Sequence, residues 1–202
     1  MLIYKEVERE DEDVITEMYE TYLNAGNPIR GHVREGLQCE DYVGYKCVDT
    51  ETGKLVGIIS AKPGLDFTCG HPELVEQIHQ KWGTQGLYSS DIMIVDPAYR
   101  KHGIARELAI QLKKGLMEKH AVCLVMELWI RSTDGDVPAL HPLRDIWEMT
   151  TLTIDREFYK NLADYGLTCP LCGAECHCGA MITVMEFHYP PTGGEHDEET
   201  KD

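Results

Sequence analysis

The sequence has no apolar run near the ~18 residues that a membrane-spanning helix needs, so we expect no membrane partner. It also lacks the pattern of a secretory signal peptide, because acidic residues follow Met1–Lys5 directly. Together these two absences lead us to expect a cytoplasmic protein.

Basic residues are in the minority: 19 lysines and arginines stand against 35 aspartates and glutamates, for a formal net charge of −16. This excess of negative charge repels nucleic-acid backbones, so we expect no nucleic-acid partner. It would attract an amine-bearing, cationic substrate, although an acidic surface often serves solubility alone. Residues 190–202 form an acidic segment without apolar area to bury, and we predict a disordered tail there.

Residues 91–116 have the pattern of a strand, a tight turn and a helix. The segment Ile92–Val95 is apolar and contains β-branched residues, as a buried strand would, and Asp96-Pro97 ends it. Apolar residues then recur every four positions on one helical face, at Ile104, Leu108, Leu112 and Leu116. The free N–H groups and the positive dipole end at the start of this helix favour an anion, and phosphate is the usual one.

Small and basic residues surround the start of that helix. Gly103 and Ala105 would let a ligand come close to the backbone, and Arg100, Lys101 and Arg106 add positive charge. A phosphate-binding turn is one interpretation of this pattern. An ordinary strand-to-helix turn is the other, because short glycine motifs often match by chance.

The same turn resembles the acetyl-coenzyme A signature of the GNAT N-acetyltransferases, which is Arg/Gln-x-x-Gly-x-Gly/Ala after a strand ending in Val-x-Pro. Arg100, Gly103 and Ala105 fall on its three defined positions. The resemblance implies a mixed α/β, GNAT-like acyl-CoA N-acyltransferase fold with a central, mostly antiparallel, splayed sheet flanked by helices. It also implies that acetyl-CoA binds along Met93, Ile94, Val95, Arg100, Lys101, His102, Gly103, Ile104, Ala105 and Arg106.

We predict a single domain over residues 1–189, a length that can bury a full core. Periodicity and turn residues predict helices over 11–23, 28–37, 72–82 and 154–165, and strands over 2–7, 41–48, 54–61, 121–130, 181–187 and from Leu167 onward. Two segments, 63–86 and 133–153, are longer than simple connections and are interpreted as insertions. The second of these is predicted to be a lid or a binding loop.

Three residues are candidates for catalysis. An ammonium must lose a proton before it attacks a thioester, so a base is needed. Glu127 interrupts the apolar strand 121–130, where burial would raise its pKa, and Asp91 lies where similar GNAT enzymes can carry a base. We slightly prefer Glu127 as the base, with Asp91 orienting the amine; a salt-bridged structural acid is the alternative for Glu127. Phe158-Tyr159 resembles a family segment whose tyrosine often protonates the departing thiolate, which implies that role for Tyr159, although both could be core aromatics.

Four of the eight cysteines are packed into residues 169–178: Cys169, Cys172, Cys176 and Cys178. The Cys-Pro-x-Cys-Gly turn presents two sulfurs, and paired turns of this kind build closed tetrahedral zinc sites. We therefore predict a structural Zn²⁺ in a metal knuckle over 169–179, between the two strands of the final hairpin. His177 could replace one sulfur, and an iron–sulfur cluster or four unligated thiols are less favoured alternatives.

The sequence thus predicts an N-acetyltransferase that moves the acetyl group from acetyl-CoA to a primary amine by direct attack in a ternary complex. The alternative is a non-catalytic module on a degenerate GNAT fold that binds coenzyme A or a protein partner. The acceptor is left open, and so is the oligomeric state, a homodimer included.

Overall fold

The computed structural model describes residues 1–189, so the predicted acidic tail lies outside the described residues. The strands are β1 (Leu2–Glu6), β2 (Val43–Asp49), β3 (Lys54–Pro63), β4 (Leu87–Val95), β5 (Cys123–Ile130), β6 (Thr150–Asp155) and β7 (Gly179–Glu186). The α-helices are α1 (Glu12–Tyr22), α2 (Pro28–Gln38), α3 (Pro72–Trp82), α4 (Ile104–Glu118) and the short α5 (Leu140–Leu143). None of the helices in this described part is long and apolar enough to cross a membrane.

One seven-stranded sheet organises the fold, in the order β1-β2-β3-β4-β5-β7-β6. Every neighbouring pair is antiparallel except β4 and β5. These two parallel strands pair only from Leu87–Ser89 to Cys123–Val125, and beyond this point they separate. The predicted mixed α/β fold with a mostly antiparallel, splayed sheet is therefore confirmed.

Apolar residues cover both faces of the sheet. On one face α4 packs Ile104, Leu108 and Leu112 against the strands, and this cluster extends to the segment that follows β5. On the other face α1 and α2 cover β3 and β4. A second cluster on that side joins α3 to the connection between β6 and β7. The protein thus has a layer on each side of one sheet, and the gap between β4 and β5 lies at its centre.

The predicted helix over 154–165 is wrong. Ile154 belongs to the edge strand β6, and the rest of the segment forms turns and one short 3₁₀ turn over Leu162–Tyr165. The residues of β6 include Thr150, Thr151, Thr153 and Ile154, which are β-branched, and the strand is held by its pairing with β7. That pairing is a long-range contact, which the local sequence of 154–165 could not reveal.

The final hairpin also begins earlier than predicted. Its first strand is β6, whereas residues from Leu167 onward make only two isolated bridges, Thr168 with Ala25 and Cys169 with Gly173. The connection 156–178, which carries the four cysteines, therefore joins β6 to β7.

The segment 133–153 was predicted to be an inserted lid or binding loop. Its apolar part belongs to the core, and its last residues, 150–153, belong to β6. Val137, Leu143 and Trp147 are buried in the cluster beneath α4. This segment therefore completes the core on the α4 face. Its one helical element is the single turn of α5.

Gly26 marks the place where the β6–β7 connection meets the loop between α1 and α2. The backbone of Ala25 exchanges two hydrogen bonds with Thr168, at 3.0 and 2.7 Å. A Cβ added at Gly26 would lie 2.1 Å from the carbonyl oxygen of Gly166, and the φ of Gly26 is +146°. The two segments can therefore approach only because this residue has no side chain.

We expect Gly26→Ala to lower the free energy of unfolding by about 2 kcal/mol or more, through overpacking and backbone strain. Gly31→Ala is the matched control, because Gly31 lies in α2 and a Cβ there meets no atom within 4 Å. Since alanine favours a helix over glycine, the control should be neutral or stabilised by roughly 0.5–1 kcal/mol. Urea denaturation of both variants measures the difference, and equal stabilities would contradict the close approach.

Candidate active site

A cavity of about 270 Å³ lies where β4 and β5 separate, on the face covered by α1 and α2. Its walls come from several distant segments: Tyr19 and His32 of the helices, Asp91 and Glu127 of the strands, and Tyr159 and Cys176 of the β6–β7 connection. Aromatic walls with a few convergent carboxylates are typical of a site for a small ligand. The two acids that the sequence proposed as bases therefore meet in one cavity.

Glu127 is held at the cavity by two donors. The hydroxyl of Tyr159 donates to Oε1 at 2.6 Å, and the backbone N–H of Thr68 donates to Oε2 at 2.9 Å. Burial raises the pKa of Glu127 above its usual value, although both hydrogen bonds oppose that rise. Each carboxylate oxygen keeps a further lone pair, so Glu127 can still accept a proton or a hydrogen bond from a ligand.

Asp91 also has a partner on each of its oxygens, but one of them can carry a positive charge. Nε2 of His32 lies 2.6 Å from Oδ1, and the hydroxyl of Ser60 donates to Oδ2 at 3.0 Å. Burial opposes ionisation of this carboxyl, but the hydrogen bond and charge of His32, with the charge of Lys62, hold the pKa of Asp91 below its usual range. Asp91 is therefore an ionised partner of His32, and its pKa shifts away from the range of a tuned base.

Tyr159 reaches the cavity without the predicted helix. It lies in the β6–β7 connection, its side chain is buried, and its hydroxyl is bonded to Glu127. Burial and the negative charge of Glu127 raise the pKa of Tyr159 well above its usual value, so the phenol keeps its proton. The geometry makes it the donor that orients Glu127; its predicted role towards a thiolate stays a prediction.

The turn between β4 and α4 lies at the far end of β4. Gly103 precedes the helix with a φ of +79°, which favours glycine, and a Cβ there would meet no atom within 4 Å. The first intrahelical bond of the turn runs from the N–H of Glu107 to the carbonyl of Gly103, so the N–H groups before it lack helical partners. The start of α4 is seated against Gly57 of β3, where a Cβ would lie 2.8 Å from Ile104.

The other residues predicted to bind coenzyme surround this turn and the strand before it. Met93 and Val95 pack towards α4, whereas Ile94 packs towards α1, so Ile94 can offer only its backbone to a ligand on the α4 side. The Nε of Arg100 donates to the carbonyl of Val95 at 3.1 Å, so the guanidinium group lies close to the end of β4. Lys101, His102, Ala105 and Arg106 are exposed or half-buried around the open space at Gly103.

The four cysteines of the connection converge on one point. Their sulfurs all lie within 4.8 Å of one another, with Cys172 and Cys178 at 3.5 Å and Cys169 and Cys178 at 4.0 Å. A tetrahedron of sulfurs around Zn²⁺ has edges of about 3.8 Å, since the Zn–S bond is about 2.3 Å. His177 is exposed and is not a member of this group of ligand atoms. The arrangement therefore fits a tetrahedral, all-cysteine metal site.

In sequence comparisons, neither a family model nor a curated protein matches the chain. Solved structures do match over nearly the whole of both chains. The chain superposes on NAA60 of Arabidopsis thaliana in complex with acetyl-CoA with a TM-score of 0.66 at 15% identity, covering 93% of this chain and 99% of that one. The ribosomal-protein-S18-alanine N-acetyltransferase of Escherichia coli gives a TM-score of 0.62 at 15% identity, covering 97% and 98%. A chain of the NatC complex bound to Gag peptide and CoA gives 0.62 at 14% identity, covering 93% and 99%.

This chain has the GNAT fold. At these identities the likeness concerns the fold alone, so the roles of single residues depend on the geometry described above. In this GNAT fold β4 connects the two sites. Asp91 of this strand lines the cavity with Glu127, and the C-terminal end of the strand leads into the turn at Gly103.

Several residues of the site were missed by the sequence analysis. His32 and Lys62 join the site through a contact of 3.3 Å between Nδ1 of the histidine and the Lys62 ammonium, and Lys62 also pairs with Asp66. Thr68 contributes a backbone N–H, which carries no signal in the sequence. The one local signal for these contacts is Ser60 and Lys62 near the end of the apolar strand β3, because a polar residue within an apolar strand needs a partner.

Proposed function

We propose that the protein is an acetyl-CoA-dependent N-acetyltransferase that acts on the primary amine of a small, cationic acceptor. The observation that carries the proposal is Glu127, a carboxylate with a raised pKa that faces a cavity at the separation of β4 and β5. Acetyl-CoA-bound or CoA-bound proteins of the same fold support acetyl-CoA as the donor. The acceptor would enter the cavity, while the pyrophosphate of the coenzyme would bind the N–H groups at Gly103–Arg106.

The chemistry requires one base and one leaving group. Glu127 takes a proton from the bound ammonium, and the free amine attacks the thioester carbonyl to form the new carbon–nitrogen bond. The carbon–sulfur bond breaks, and the departing thiolate of coenzyme A takes up the second proton that the attacking nitrogen loses. The cavity is lined by three carboxylates, Asp66, Asp91 and Glu127, against one lysine, Lys62, so its charge favours a cation. Tyr19, Phe67 and Trp129 offer aromatic walls to that cation. Asp91 would act through its negative charge and not as the base, since it is paired with His32 and its pKa is held low.

The test is release of free thiol from acetyl-CoA in the presence of a panel of amines, with amine-free protein as the baseline. We expect compact diamines and polyamines to be acetylated faster than neutral or anionic amines of the same size, because the cavity carries carboxylates. No thiol release above the baseline with any amine would favour the alternative of a non-catalytic module. Two observations support the enzyme over that alternative: Val137, Leu143 and Trp147 of the insertion are buried in the core, and Tyr159 donates to Glu127.

We also propose that Cys169, Cys172, Cys176 and Cys178 hold one Zn²⁺ in a structural role. Four protein sulfurs fill a tetrahedral site and leave no open position for catalysis. Three of these cysteines are buried, and the bridge between Cys169 and Gly173 forms the tight turn that brings the first two sulfurs together.

Metal analysis of protein purified without added zinc should find about one Zn²⁺ per chain, the number that one four-sulfur site holds. Cys172→Ser should lower both the metal content and the melting temperature, because metal binding contributes to folding at such sites. Cys39→Ser is the matched control, since Cys39 is a half-buried cysteine outside the cluster. Full stability after complete removal of the metal would contradict a structural role.

A further inference from the structure

We infer that the metal site governs the acceptor cavity: loading the four cysteines with Zn²⁺ closes the cavity wall and strengthens acceptor binding, while acetyl-CoA binding does not depend on it. The acceptor side of this inference rests on the proposed function.

The connection 156–178 has little regular structure of its own. Apart from one 3₁₀ turn and two isolated bridges, its 23 residues form turns and loops. Its apolar residues Phe158, Tyr159 and Leu162 are buried in the same cluster as Cys169, Cys176 and Cys178. Because a segment without a helix or a strand cannot hold its shape by backbone bonds alone, a four-sulfur metal site would supply the missing constraint.

The cysteines connect the cavity wall to the chain just beyond the end of β5, the strand that carries Glu127. Cys169 and Cys176 line the cavity, whereas the sulfur of Cys172 lies 3.2 Å from the hydroxyl of Ser132 just beyond β5. Cys178 lies 3.7 Å from the same hydroxyl. A metal bound here would therefore tie the cavity wall to the end of β5.

The same connection closes the cavity through three further contacts. Thr168 exchanges backbone hydrogen bonds with Ala25, and the hydroxyl of Tyr165 donates to the carbonyl of Cys69 at 2.7 Å. The ring of Phe158 stacks on His71 with centroids 3.7 Å apart. Since Tyr159 in this connection also donates to Glu127, a loosened connection would both open the cavity and release the base from one of its donors.

The coenzyme turn is built from other elements. Gly103 and the start of α4 are supported by Gly57 of β3 and by the end of β4, none of which belongs to the connection. Loss of the metal should therefore leave acetyl-CoA affinity unchanged while the acceptor site is lost.

The experiment compares zinc-loaded wild-type protein, the same protein after chelation, Cys172→Ser and the control Cys39→Ser. Cys172 is chosen because it is a ligand that does not line the cavity. Cys69 lines the cavity, so its initial rate of alkylation by iodoacetamide, followed by peptide mapping, reports opening without requiring activity. We expect that rate to rise on the order of tenfold on metal loss, as for a local opening, with acetyl-CoA affinity from calorimetry within about twofold of wild type. The KM of the best amine should rise on the order of tenfold as well, and added Zn²⁺ should reverse all changes in the chelated wild type.

Equal alkylation of Cys69 with and without metal would overturn the inference, and so would loss of acetyl-CoA binding together with global unfolding. The second outcome would make the metal a requirement of the whole fold and not of the cavity. If no amine is acetylated, the proposed function fails, but the metal dependence of Cys69 alkylation still decides whether the metal closes the cavity.

Discussion

Gly103→Glu is expected to weaken acetyl-CoA binding by a hundredfold or more, measured by calorimetry. The new carboxylate would enter the open space in front of the start of α4, where we place the pyrophosphate. Two unit charges about 4 Å apart repel by roughly 4 kcal/mol at an effective dielectric constant near 20, which is nearly a thousandfold in Kd. The positive dipole end of the helix would also be neutralised by the protein's own side chain.

Backbone strain has to be separated from this electrostatic effect, because the φ of Gly103 is +79° and any side chain there is strained. Gly103→Ala carries the same strain without the charge and should lose only a small part of the affinity. Gly64→Glu adds the same charge at another glycine with positive φ (+86°) and open space around it. Gly64 follows Pro63, which pairs with Tyr88 at the opposite end of β4 from the turn, so this variant should bind acetyl-CoA normally. Equal affinity of Gly103→Glu and wild type would remove the turn from the coenzyme site.

Glu127→Gln is expected to lower kcat/KM by about a hundredfold or more near pH 7, a typical effect of losing a general base. The substitution keeps the size of the side chain. Its amide oxygen can still accept from Thr68, and the hydroxyl of Tyr159 can rotate to accept from the amide, so the cavity should keep its shape. Acetyl-CoA affinity should be unchanged.

The activity of the wild type and the loss in Glu127→Gln should depend on pH in opposite ways. Glu127 acts as a base only when it is ionised, and burial raises its pKa, so the activity of the wild type should fall at mildly acidic pH as the group takes up a proton. The loss in Glu127→Gln should shrink as the pH rises, because the amine then loses its proton unaided. A mutant with a near-normal rate at pH 7 would exclude Glu127 as the base and leave Asp91 as the candidate.

Asp66→Asn is the matched control for charge. Asp66 lines the same cavity and is more than half exposed, so the substitution removes one negative charge without removing the buried carboxylate. A modest rise in KM with an unchanged kcat would show steering of the cation, whereas a loss equal to that of Glu127→Gln would mean that cavity charge, not proton transfer, controls the rate.

Local sequence patterns were enough to predict most of the helices and strands of this protein. The strand, turn and helix around Gly103 follow from an apolar run, a proline and a four-residue repeat, all of which act between near neighbours in the chain. The sulfur cluster was likewise readable from spacing, because its ligands lie within ten residues. The splayed sheet was anticipated through resemblance to a family, and its structural neighbours confirm that fold.

Tertiary structure decided the rest. The edge strand β6 replaces a predicted helix because its partner β7 lies beyond the whole cysteine-bearing connection, and pairing outweighs local periodicity. The partners of the two candidate bases are equally distant: Asp91 meets His32 across 59 residues, and Glu127 meets Thr68 across 59 and Tyr159 across 32. The sequence by itself determined which residues could ionise or bind a metal. Which carboxylate has a lowered pKa and which has a raised one was decided by burial and by those distant partners, and neither is encoded in local spacing.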